Sequence, residues 1–514
     1  MKEMLRKNIE IKPKKLYSNS MPALSQKIEK QRFIHAIKTP RLHKENYGQF
    51  FTPYKIASFM ASLFPKTENE IRLLDPGAGI GALSCAFIER IKNEQWNVQK
   101  ITVDAYDIDQ TVLSELEKNL SASLSDIQNS EYKIFSDDFL SKTSFEYAWG
   151  ASKKYTHIIM NPPYKKILSS SIERKSAEIF GVETVNLYSA FLAAAIALSE
   201  KNGFIVAIVP RSFCNGSYFK PFRKFILENC AIKHIHLFNS RSKAFSDEAV
   251  LQENIIIMLQ KNAVQGDVKI SFSTDGTFSD FQERNAAFNE ILSKNDSEKY
   301  FNIPQNKCTE KLNAKINLPL SDFSNIQAQV STGPVVDFRV KRLLLKDFQK
   351  NSVPLIYSVH LRNFHLEWPK DSKKPNAVKI AENIEKNLFP KGFYVAVKRF
   401  STKEEAKRIV ASLITPEDFA AEKIAFENHL NIFHNNKKSL EENLAYGLVC
   451  YLNTTFIDER FRLFSGHTQV NATDLRNLPY PEKEILCKIG EKLKKSKNWS
   501  QELFDRICGE KYEN

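Results

Sequence analysis

The sequence predicts an α/β domain with a mostly parallel, twisted sheet, followed by a mixed α+β domain. From residue 46 to about residue 262, short apolar segments alternate with segments whose apolar residues recur at helical spacing. This alternation is typical of parallel strands joined by right-handed helical crossovers. The pattern then loses its regularity, and a chain of 514 residues is longer than one core usually holds. We therefore predict a basic N-terminal arm over 1–45, a first domain over 46–265 and a second domain over 266–514 that ends in a helical segment.

A glycine-rich turn follows the first predicted strand, in the segment LLDPGAGIGAL. Gly77, Gly79 and Gly81 allow the backbone to turn tightly and to approach a ligand without a Cβ in between. Asp107 ends the next strand, where a carboxylate can accept hydrogen bonds from both hydroxyls of a ribose. Asp75 disfavours a pyrophosphate beside it and suits a ligand that carries ammonium and sulfonium charges. These residues indicate S-adenosylmethionine as the ligand, and a purely structural turn is the alternative.

The segment THIIMNPPYKKI, residues 156–167, ends an apolar strand with an asparagine, two prolines and a tyrosine. Because neither Pro162 nor Pro163 has an N–H to donate to a neighbouring strand, the strand must end at Asn161. The side chain of Asn161 is thereby placed at a carboxyl end, which is where open α/β sheets bind ligands. The alternative interpretation of Asn161 is a turn residue that merely ends the strand.

Two parts of the chain are strongly basic, although the whole chain carries a net charge of only +14. Residues 1–45 hold twelve Lys and Arg against four Asp and Glu, and residues 341–410 hold sixteen against seven. Solvated lysine-rich surface is one explanation, but two basic clusters on an otherwise slightly acidic chain favour a polyanionic partner.

The remaining composition predicts a cytoplasmic protein. The seven cysteines form no CxxC pair, which fits a reducing compartment and argues against a structural zinc site or a disulfide framework. No apolar run approaches the roughly 20 residues of a membrane span. The charged N-terminus has no apolar segment behind it and is not a signal peptide.

The order of the motifs resembles that of the gamma-class, TaqI-type amino-methyltransferases of DNA. The motifs are GQFFTP at 48–53, DPGAGIG at 75–81, DID at 107–109, DDFL at 137–140, NPPY at 161–164, NLYSAFL at 186–192 and VPRSF at 209–213. Segments of the C-terminal half, at 330–339, 394–410 and 465–481, resemble the PstI/BsuBI-like branch of restriction-modification methylases. The resemblance implies a Rossmann-like, S-adenosylmethionine-dependent methyltransferase domain followed by a target-recognition domain.

The resemblance also implies how the cofactor is held. Thr52 and the glycine turn would contact its methionine part, and Asp107 would bind its ribose. Asp138 would accept a hydrogen bond from the adenine amino group of the cofactor, and Phe139 would cover one face of the adenine ring. For Phe139 the alternative is an ordinary core aromatic.

The reaction that the resemblance implies is methyl transfer to the N6 amino group of an adenine flipped out of double-stranded DNA. The side-chain oxygen of Asn161 and the carbonyl of Pro162 would each accept one N–H of this amino group, which directs its lone pair at the methyl group. Tyr164 would stack on one face of the base and Phe219 on the other. The alternatives for Phe219 are a core role or replacement by a neighbouring aromatic. No metal is required.

The second domain would recognise the DNA sequence. Its basic stretches would bind backbone phosphates, and Arg, Lys, Asn or Gln side chains would contact base edges in the major groove. The candidates for base contacts are Arg339, Lys398, Arg399 and Gln469. We expect a monomer, since one chain carries both catalysis and recognition. We also expect a separate restriction endonuclease as the functional partner, because the two domains leave little room for a nuclease.

Other chemistries fit the sequence less well. Methylation at carbon 5 of cytosine uses a cysteine nucleophile, usually after proline, and the chain contains no Pro-Cys pair. Cytosine-N4 enzymes use the same mechanism as adenine-N6 enzymes but more often have Ser at the position of Asn161. Cytosine-N4 methylation, N-methylation of RNA or of a protein glutamine, and DNA binding by a degenerate methylase fold remain the alternatives.

Overall fold

The computed structural model of the chain divides into two compact units, Met1–Tyr300 and Phe301–Asn514, which we call the N-terminal and the C-terminal unit. It describes residues 21–38, 51–168, 170–238, 253–292, 296, 298–303, 316, 318–401, 405–464 and 468–512. Most of the predicted arm, at 1–20 and 39–45, and the start of the GQFFTP motif, at 48–50, lie outside the described residues.

A nine-stranded sheet forms the centre of the described part of the N-terminal unit. The strand order is β3-β2-β1-β4-β5-β7-β6-β8-β9. The strands are β1 Ile71–Pro76, β2 Ile101–Tyr106, β3 Ser130–Phe135, β4 Tyr155–Met160, β5 Ser199–Pro210, β6 Cys230–Phe238, β7 Asn254–Lys261, β8 Val268–Ser273 and β9 Gln282–Ala286. β1 to β5 run parallel to one another, and β7 runs antiparallel to both β5 and β6. The prediction of a mostly parallel sheet is confirmed.

The described helices of this unit lie before, between and after the strands of the sheet. They are α1 Ala23–Lys38, α2 Tyr54–Ser62, α3 Ala82–Asn93, α4 Gln110–Leu124, α5 Phe139–Ala148, α6 Ile172–Ile179, α7 Leu187–Leu198, α8 Lys220–Asn229 and α9 Phe288–Ile291. In each of β1, β2 and β4, five of the six residues are buried, as expected of strands covered on both faces. α1 belongs to the predicted arm, but Ile28 is buried in the same core as α3 and α4. The described part of the arm is therefore packed onto the N-terminal unit.

The boundary predicted after residue 265 is too early. β8 pairs in parallel with β6, and β9 pairs with β8, so both strands extend the sheet of the N-terminal unit. The unit accordingly ends at Tyr300. The predicted boundary was too early because the segment from the end of β8 to the start of β9, SFSTDGTFSDF, is polar and because β9 is largely exposed.

The sheet reverses its winding direction at β1. The chain places β2 and β3 on one side of β1 and then places β4 on the other side. At such a switch point the connections leave the two neighbouring strands in opposite directions, which opens a crevice at their carboxyl ends. The glycine turn follows β1 and Asn161 follows β4, so both motifs lie at this crevice.

The described part of the C-terminal unit contains a four-stranded sheet, a five-stranded sheet and two strand pairs. The four-stranded order is β11-β21-β18-β19, and the five-stranded order is β12-β16-β13-β20-β17. The strands are β10 Leu320–Ser321, β11 Gln329–Thr332, β12 Leu344–Leu345, β13 Ser352–Ile356, β14 Leu361–Arg362, β15 His365–Leu366, β16 Ala377–Lys379, β17 Phe389–Pro390, β18 Tyr394–Lys398, β19 Ala411–Ile414, β20 Lys423–Phe426, β21 Leu430–His434 and β22 Tyr480–Pro481. The predicted mixed α+β character is confirmed.

The described helices of the C-terminal unit lie mostly after its two larger sheets in the chain. They are α10 Glu382–Glu385, α11 Glu442–Leu452, α12 Thr455–Phe464, α13 Ala472–Arg476, α14 Lys483–Lys494 and α15 Gln501–Gly509. α11 and α14 approach so closely that a Cβ at Gly447 would lie 1.9 Å from the carbonyl oxygen of Leu486. Among the described residues, no helix has both the length and the hydropathy of a membrane span.

Candidate active site

A cavity of about 300 Å³ lies at the carboxyl ends of the central strands of the N-terminal unit. Most residues that the sequence predicted as cofactor or catalytic residues line this cavity, namely Thr52, Gly77, Gly79, Asp107, Asp138, Phe139 and Asn161. These residues come from five separate segments of the chain. The structure thus brings the predicted motifs together at one site.

The glycine turn lets the backbone line the cavity. Gly79 has a φ of +56°, and a Cβ at this position would lie 3.2 Å from the ring of Phe51, so a larger residue would be strained and crowded. Gly81 has a φ of +83°, and its Cβ would lie 2.9 Å from Leu116 of α4. Gly81 does not line the cavity, and its requirement for glycine comes from helix packing.

Asp107 is buried beside the turn. Its Oδ2 accepts the N–H of Gly79 at 2.7 Å, and its Oδ1 accepts the N–H of Asp109 at 2.9 Å. Burial raises the pKa of Asp107 to about 6. Since an ionised carboxylate has about four lone-pair directions, both oxygens can still accept a hydrogen bond from a ribose hydroxyl.

Asp138 and Phe139, at the start of α5, also line the cavity. Oδ1 of Asp138 caps the helix by accepting the N–H of Ser141 at 2.8 Å. The Phe139 ring is held by Tyr106, at a centroid distance of 5.3 Å, and by Phe191, at 5.1 Å. A carboxylate beside a fixed aromatic ring suits an adenine that carries an amino group.

Several residues of the cavity wall were not among the site residues predicted from the sequence. The most informative is Ile108, which is 45 % exposed although it is apolar and lines the cavity. It follows Asp107 directly, so an apolar residue after the carboxylate predicted to bind the ribose was the signal that could have identified it. Other missed residues lining the cavity are Phe51, Ile80, Leu83, Tyr106, Lys165, Lys166, Ile167, Leu168 and Phe191.

Asp75 does not line the cavity, contrary to the expectation of a direct contact with the cofactor. Its side chain is fully buried, and Oδ2 accepts the hydroxyl of Ser84 at 2.6 Å. Oδ1 has no hydrogen-bond partner among the described residues. Burial raises the pKa of Asp75 to about 7. In the structure this carboxylate supports the start of α3 beneath the glycine turn.

Asn161 is fixed from both sides of its amide. Nδ2 donates to Oγ1 of Thr52 at 3.0 Å, and Oδ1 accepts from the hydroxyl of Tyr164 at 2.9 Å. The same hydroxyl lies 3.1 Å from the carbonyl oxygen of Ile208 in β5. Burial raises the pKa of Tyr164 above its usual value, so the hydroxyl stays protonated. The Asn161 amide is therefore held at the cavity wall by one side chain of the GQFFTP motif and one of its own NPPY motif.

Phe219 does not reach the cavity. It ends a short 3₁₀ segment, is 7 % exposed and lies 5.9 Å from the ring of Tyr188, which in turn lies 6.3 Å from Tyr164. Like Tyr164, Phe219 does not line the cavity, and its stacking role stays a prediction beside the alternative of a core aromatic. Its neighbour Tyr218 is 76 % exposed.

The candidate base readers lie in the C-terminal unit and differ in accessibility. Arg339 is exposed, with its guanidinium 5.7 Å from the ring centroid of Phe338. Lys398 ends β18, and Nη1 of Arg399 donates to the carbonyl of Asn428 at 3.1 Å. Gln469 forms an isolated bridge with Phe400, which places it beside Lys398 and Arg399.

The residues of the cavity fit S-adenosylmethionine. Asp107 offers two acceptors to a ribose, Asp138 and Phe139 offer an acceptor and a ring to an adenine, and Thr52 lies beside the glycine turn. Among the described residues, no group of three or more His, Cys, Asp or Glu could hold a metal ion.

Comparison with known proteins agrees with this geometry. Residues 23–245 match the family of Eco57I restriction-modification methylases. The type II methyltransferase M.BsuBI of Bacillus subtilis is 45 % identical over 87 % of this chain and 90 % of its own length. The type II methyltransferase M.PstI of Providencia stuartii is 40 % identical over 88 % of this chain and 90 % of its own length.

A solved structure of a DrdV–DNA complex shares the fold. It aligns with a TM-score of 0.53 and 15 % identity over 91 % of this chain and 59 % of the DrdV chain. The resemblance inferred from the motif order is confirmed, including the PstI/BsuBI-like branch. The chain therefore belongs to the Eco57I-type restriction-modification methylase family and is a type II DNA methyltransferase that uses S-adenosylmethionine.

Proposed function

We propose that the chain methylates the N6 amino group of an adenine in double-stranded DNA. The observation that carries this proposal is the fixed amide oxygen of Asn161 at the wall of the cofactor cavity. When bound, S-adenosylmethionine supplies the methyl group from a sulfonium centre. An amino group must therefore be held against this cavity with its lone pair directed inward.

Asn161 can hold such an amino group. Its Oδ1 has two lone-pair directions, and the Tyr164 hydroxyl uses at most one of them. The carbonyl of Pro162 is the second acceptor in the proposal. Two acceptors that each take one N–H draw the nitrogen toward tetrahedral geometry and favour its lone pair as a nucleophile. Acceptors that are already in position need no reorganisation during the reaction, which is the main source of electrostatic rate enhancement.

Tyr164 gives Asn161 an adjustable partner. A phenolic hydroxyl carries one proton, yet two acceptors lie within hydrogen-bond distance of it, Oδ1 of Asn161 and the carbonyl of Ile208. When the target amino group donates to Oδ1, the Tyr164 proton can turn to Ile208. The Tyr164 hydroxyl thus keeps a hydrogen-bond acceptor whether or not the target amino group is bound. Its ring is the candidate to stack on the flipped base.

Adenine is the base that this proposal assigns. Asn161 stands where cytosine-N4 enzymes, by the resemblance stated above, more often have Ser. We propose further that the modified DNA is protected from a separate endonuclease, and that the chain acts as a monomer in the cytosol. One chain that holds both a catalytic and a recognition unit can methylate each strand of a site in turn.

The test is to incubate the purified protein with mixed-sequence duplex DNA and S-adenosylmethionine and to identify the methylated nucleoside by mass spectrometry. We expect N6-methyladenine. N4-methylcytosine would overturn the assignment of the base and keep the site. Unmodified DNA, with methylated RNA or methylated protein glutamine in parallel incubations, would overturn DNA as the substrate.

A further inference from the structure

We infer that the turn between β20 and β21 in the C-terminal unit contacts DNA bases, and that His429 and Phe400 are the sequence-reading side chains of this contact. We call this surface the corner patch and define it by Phe338, Arg339, Phe400, Glu427 and His429. The inference rests on the proposed function, because it takes double-stranded DNA as the ligand.

The ring of His429 is held by a buried carboxylate. Glu427 has no exposed surface, and its Oε2 accepts the backbone N–H of His429 at 2.9 Å. Its Oε1 forms a short hydrogen bond with Nδ1 of the His429 ring. Because Nδ1 is engaged, Nε2 is the ring nitrogen available to a ligand, and the side chain is 45 % exposed. Burying a carboxylate costs free energy, so this arrangement is more than an ordinary surface histidine requires.

The backbone of the turn is held on several sides. The bonds are Glu427 N–H to Ile356 O at 3.0 Å, Asn428 N–H to Val335 O at 2.9 Å, Leu430 N–H to Glu427 O at 3.1 Å, Arg399 N–H to His429 O at 2.9 Å and Arg399 Nη1 to Asn428 O at 3.1 Å. A Cβ at Gly333 would lie 2.2 Å from the carbonyl oxygen of Glu427, so this strand end can approach only as glycine. A contact surface built on a rigid backbone loses little entropy when it binds.

Aromatic side chains flank His429 without being buried. The ring of Phe400 lies 5.1 Å from that of His429 at an interplanar angle of 43°, and Phe400 is 44 % exposed. Phe338 is 73 % exposed and carries the guanidinium of Arg339 over its ring. The Asn428–Val335 bond places the segment that leads to Phe338 directly beside the turn.

The groups of the corner patch suit contact with DNA bases and phosphates. A fixed imidazole nitrogen can bond a base edge, an exposed ring can contact a thymine methyl group or a base step, and arginine can bond guanine or phosphate. The acidic Asp337 in the same segment is paired with Lys374 at 3.0 Å, which limits its repulsion of phosphates. Residues 341–410, which include Phe400, are also strongly basic.

This inference revises the roles of the predicted readers. Arg399 donates to the turn through both its backbone and its side chain, so it positions His429 and is not itself the reader. Arg339 stays a candidate for direct contact because it is exposed. His429 and Phe400 were not among the sequence candidates.

The experiment measures methylation of a plasmid library at limiting enzyme, with single-molecule sequencing that detects the methylated base in each context. We expect His429→Ala to lower methylation at the preferred sequence about tenfold or more, and to raise its fraction at sequences that differ from it by one base pair. Phe400→Ala should act in the same direction with a smaller effect. Lys497→Ala is the control, since Lys497 is exposed on the same unit outside the corner patch.

Glu427→Gln tests the positioning role. It should change the distribution of methylation over DNA sequences as His429→Ala does. The variant that carries both substitutions should show no further change, because each substitution removes the same oriented ring. The thermal midpoint and the cofactor affinity of each variant show that it is folded and that its cofactor site is intact.

Three outcomes would overturn the inference. An unchanged sequence profile in a folded His429→Ala variant removes the base contact. An equal loss at all sequences, with a weaker salt dependence, assigns His429 to a phosphate. DNA left unmodified by the unaltered protein overturns the proposed function together with this inference, whereas the first two results leave the proposed function standing.

Discussion

The cofactor cavity and the corner patch hold their polar groups in opposite ways. In the cavity, backbone groups fix the acidic side chain: Asp107 accepts the N–H of Gly79 in the glycine turn and the N–H of Asp109. In the corner patch, a buried side chain fixes an exposed one, since Glu427 orients His429. The predicted ribose acceptor thus depends on backbone geometry, whereas the base reader that we infer depends on a neighbouring side chain.

The largest expected effect is on catalysis in the cavity. Asn161→Ala should lower the single-turnover rate of methyl transfer about 10²- to 10³-fold, because it removes a prearranged acceptor of the target amino group. Cofactor affinity, measured by calorimetry, should change less than about threefold. Asn69→Ala, at an exposed asparagine, is the matched control. If cofactor affinity fell as strongly as the rate, Asn161 would be a cofactor residue and the catalytic assignment would be wrong.

The next prediction concerns cofactor affinity and not the rate of methyl transfer. Asp107→Asn should weaken S-adenosylmethionine binding about 10- to 100-fold, because an amide NH₂ would face the N–H of Gly79 or Asp109 and a charged acceptor would be lost. The pKa of Asp107 is raised to about 6, so affinity of the unaltered protein should fall as the pH falls below about 6. The variant should show no such fall.

Calorimetry at pH 5.5 and pH 8 measures both effects. Asp126→Asn is a suitable control, since its side chain is 81 % exposed and lies outside the cavity. A variant that binds the cofactor normally at pH 8 would refute the ribose assignment, even if its turnover were impaired.

Motifs fixed by local backbone rules could be predicted from the sequence. The prolines after Asn161 end β4, and the glycines after Asp75 end β1, so both positions follow from bonds and sterics within a few residues. The direction of the Asp75 side chain could not be predicted in this way. Both faces of β1 are buried, and the strand therefore shows no polar and apolar alternation that would orient the carboxylate.

Features that depend on distant pairing could not be predicted. Glu427 and His429 meet Arg399 and Val335, which lie 28 or more residues away in the chain. β8 and β9 join a sheet whose other strands end at Lys261, and neither strand has the apolar run of its partners. The ring contact of Phe219 with Tyr188, 31 residues earlier in the chain, could likewise not be predicted from its neighbourhood in the sequence.

A smaller effect distinguishes a residue that contacts DNA, Arg339, from one that stabilises the turn of the corner patch, Arg399. Arg339→Ala should weaken binding to mixed-sequence duplex DNA about fivefold and leave stability within about 0.5 kcal/mol, since the side chain is exposed. Arg399→Ala should instead lower the free energy of unfolding by about 1–2 kcal/mol, because it leaves the Asn428 carbonyl without its side-chain donor. Fluorescence anisotropy at two salt concentrations and urea denaturation measure these changes. Equal effects of the two variants on both quantities would remove the distinction.

The smallest effect on function concerns Asp75, the carboxylate beneath the cavity. Its pKa is raised from 3.8 to about 7 by burial, so the folded state binds this proton more tightly than the unfolded state does. The stabilisation from this proton is complete below about pH 4 and is lost as the pH rises to about 7. Asp75→Asn removes the cost of the buried charge but leaves an amide NH₂ without an acceptor, so a net gain of about 1–2 kcal/mol is expected at pH 8 and none at pH 5. Cofactor affinity should change less than about threefold, because Asp75 does not line the cavity. Thermal unfolding at both pH values measures the stability, and calorimetry measures the cofactor affinity. A large loss of affinity with unchanged stability would indicate that Asp75 contacts the cofactor directly.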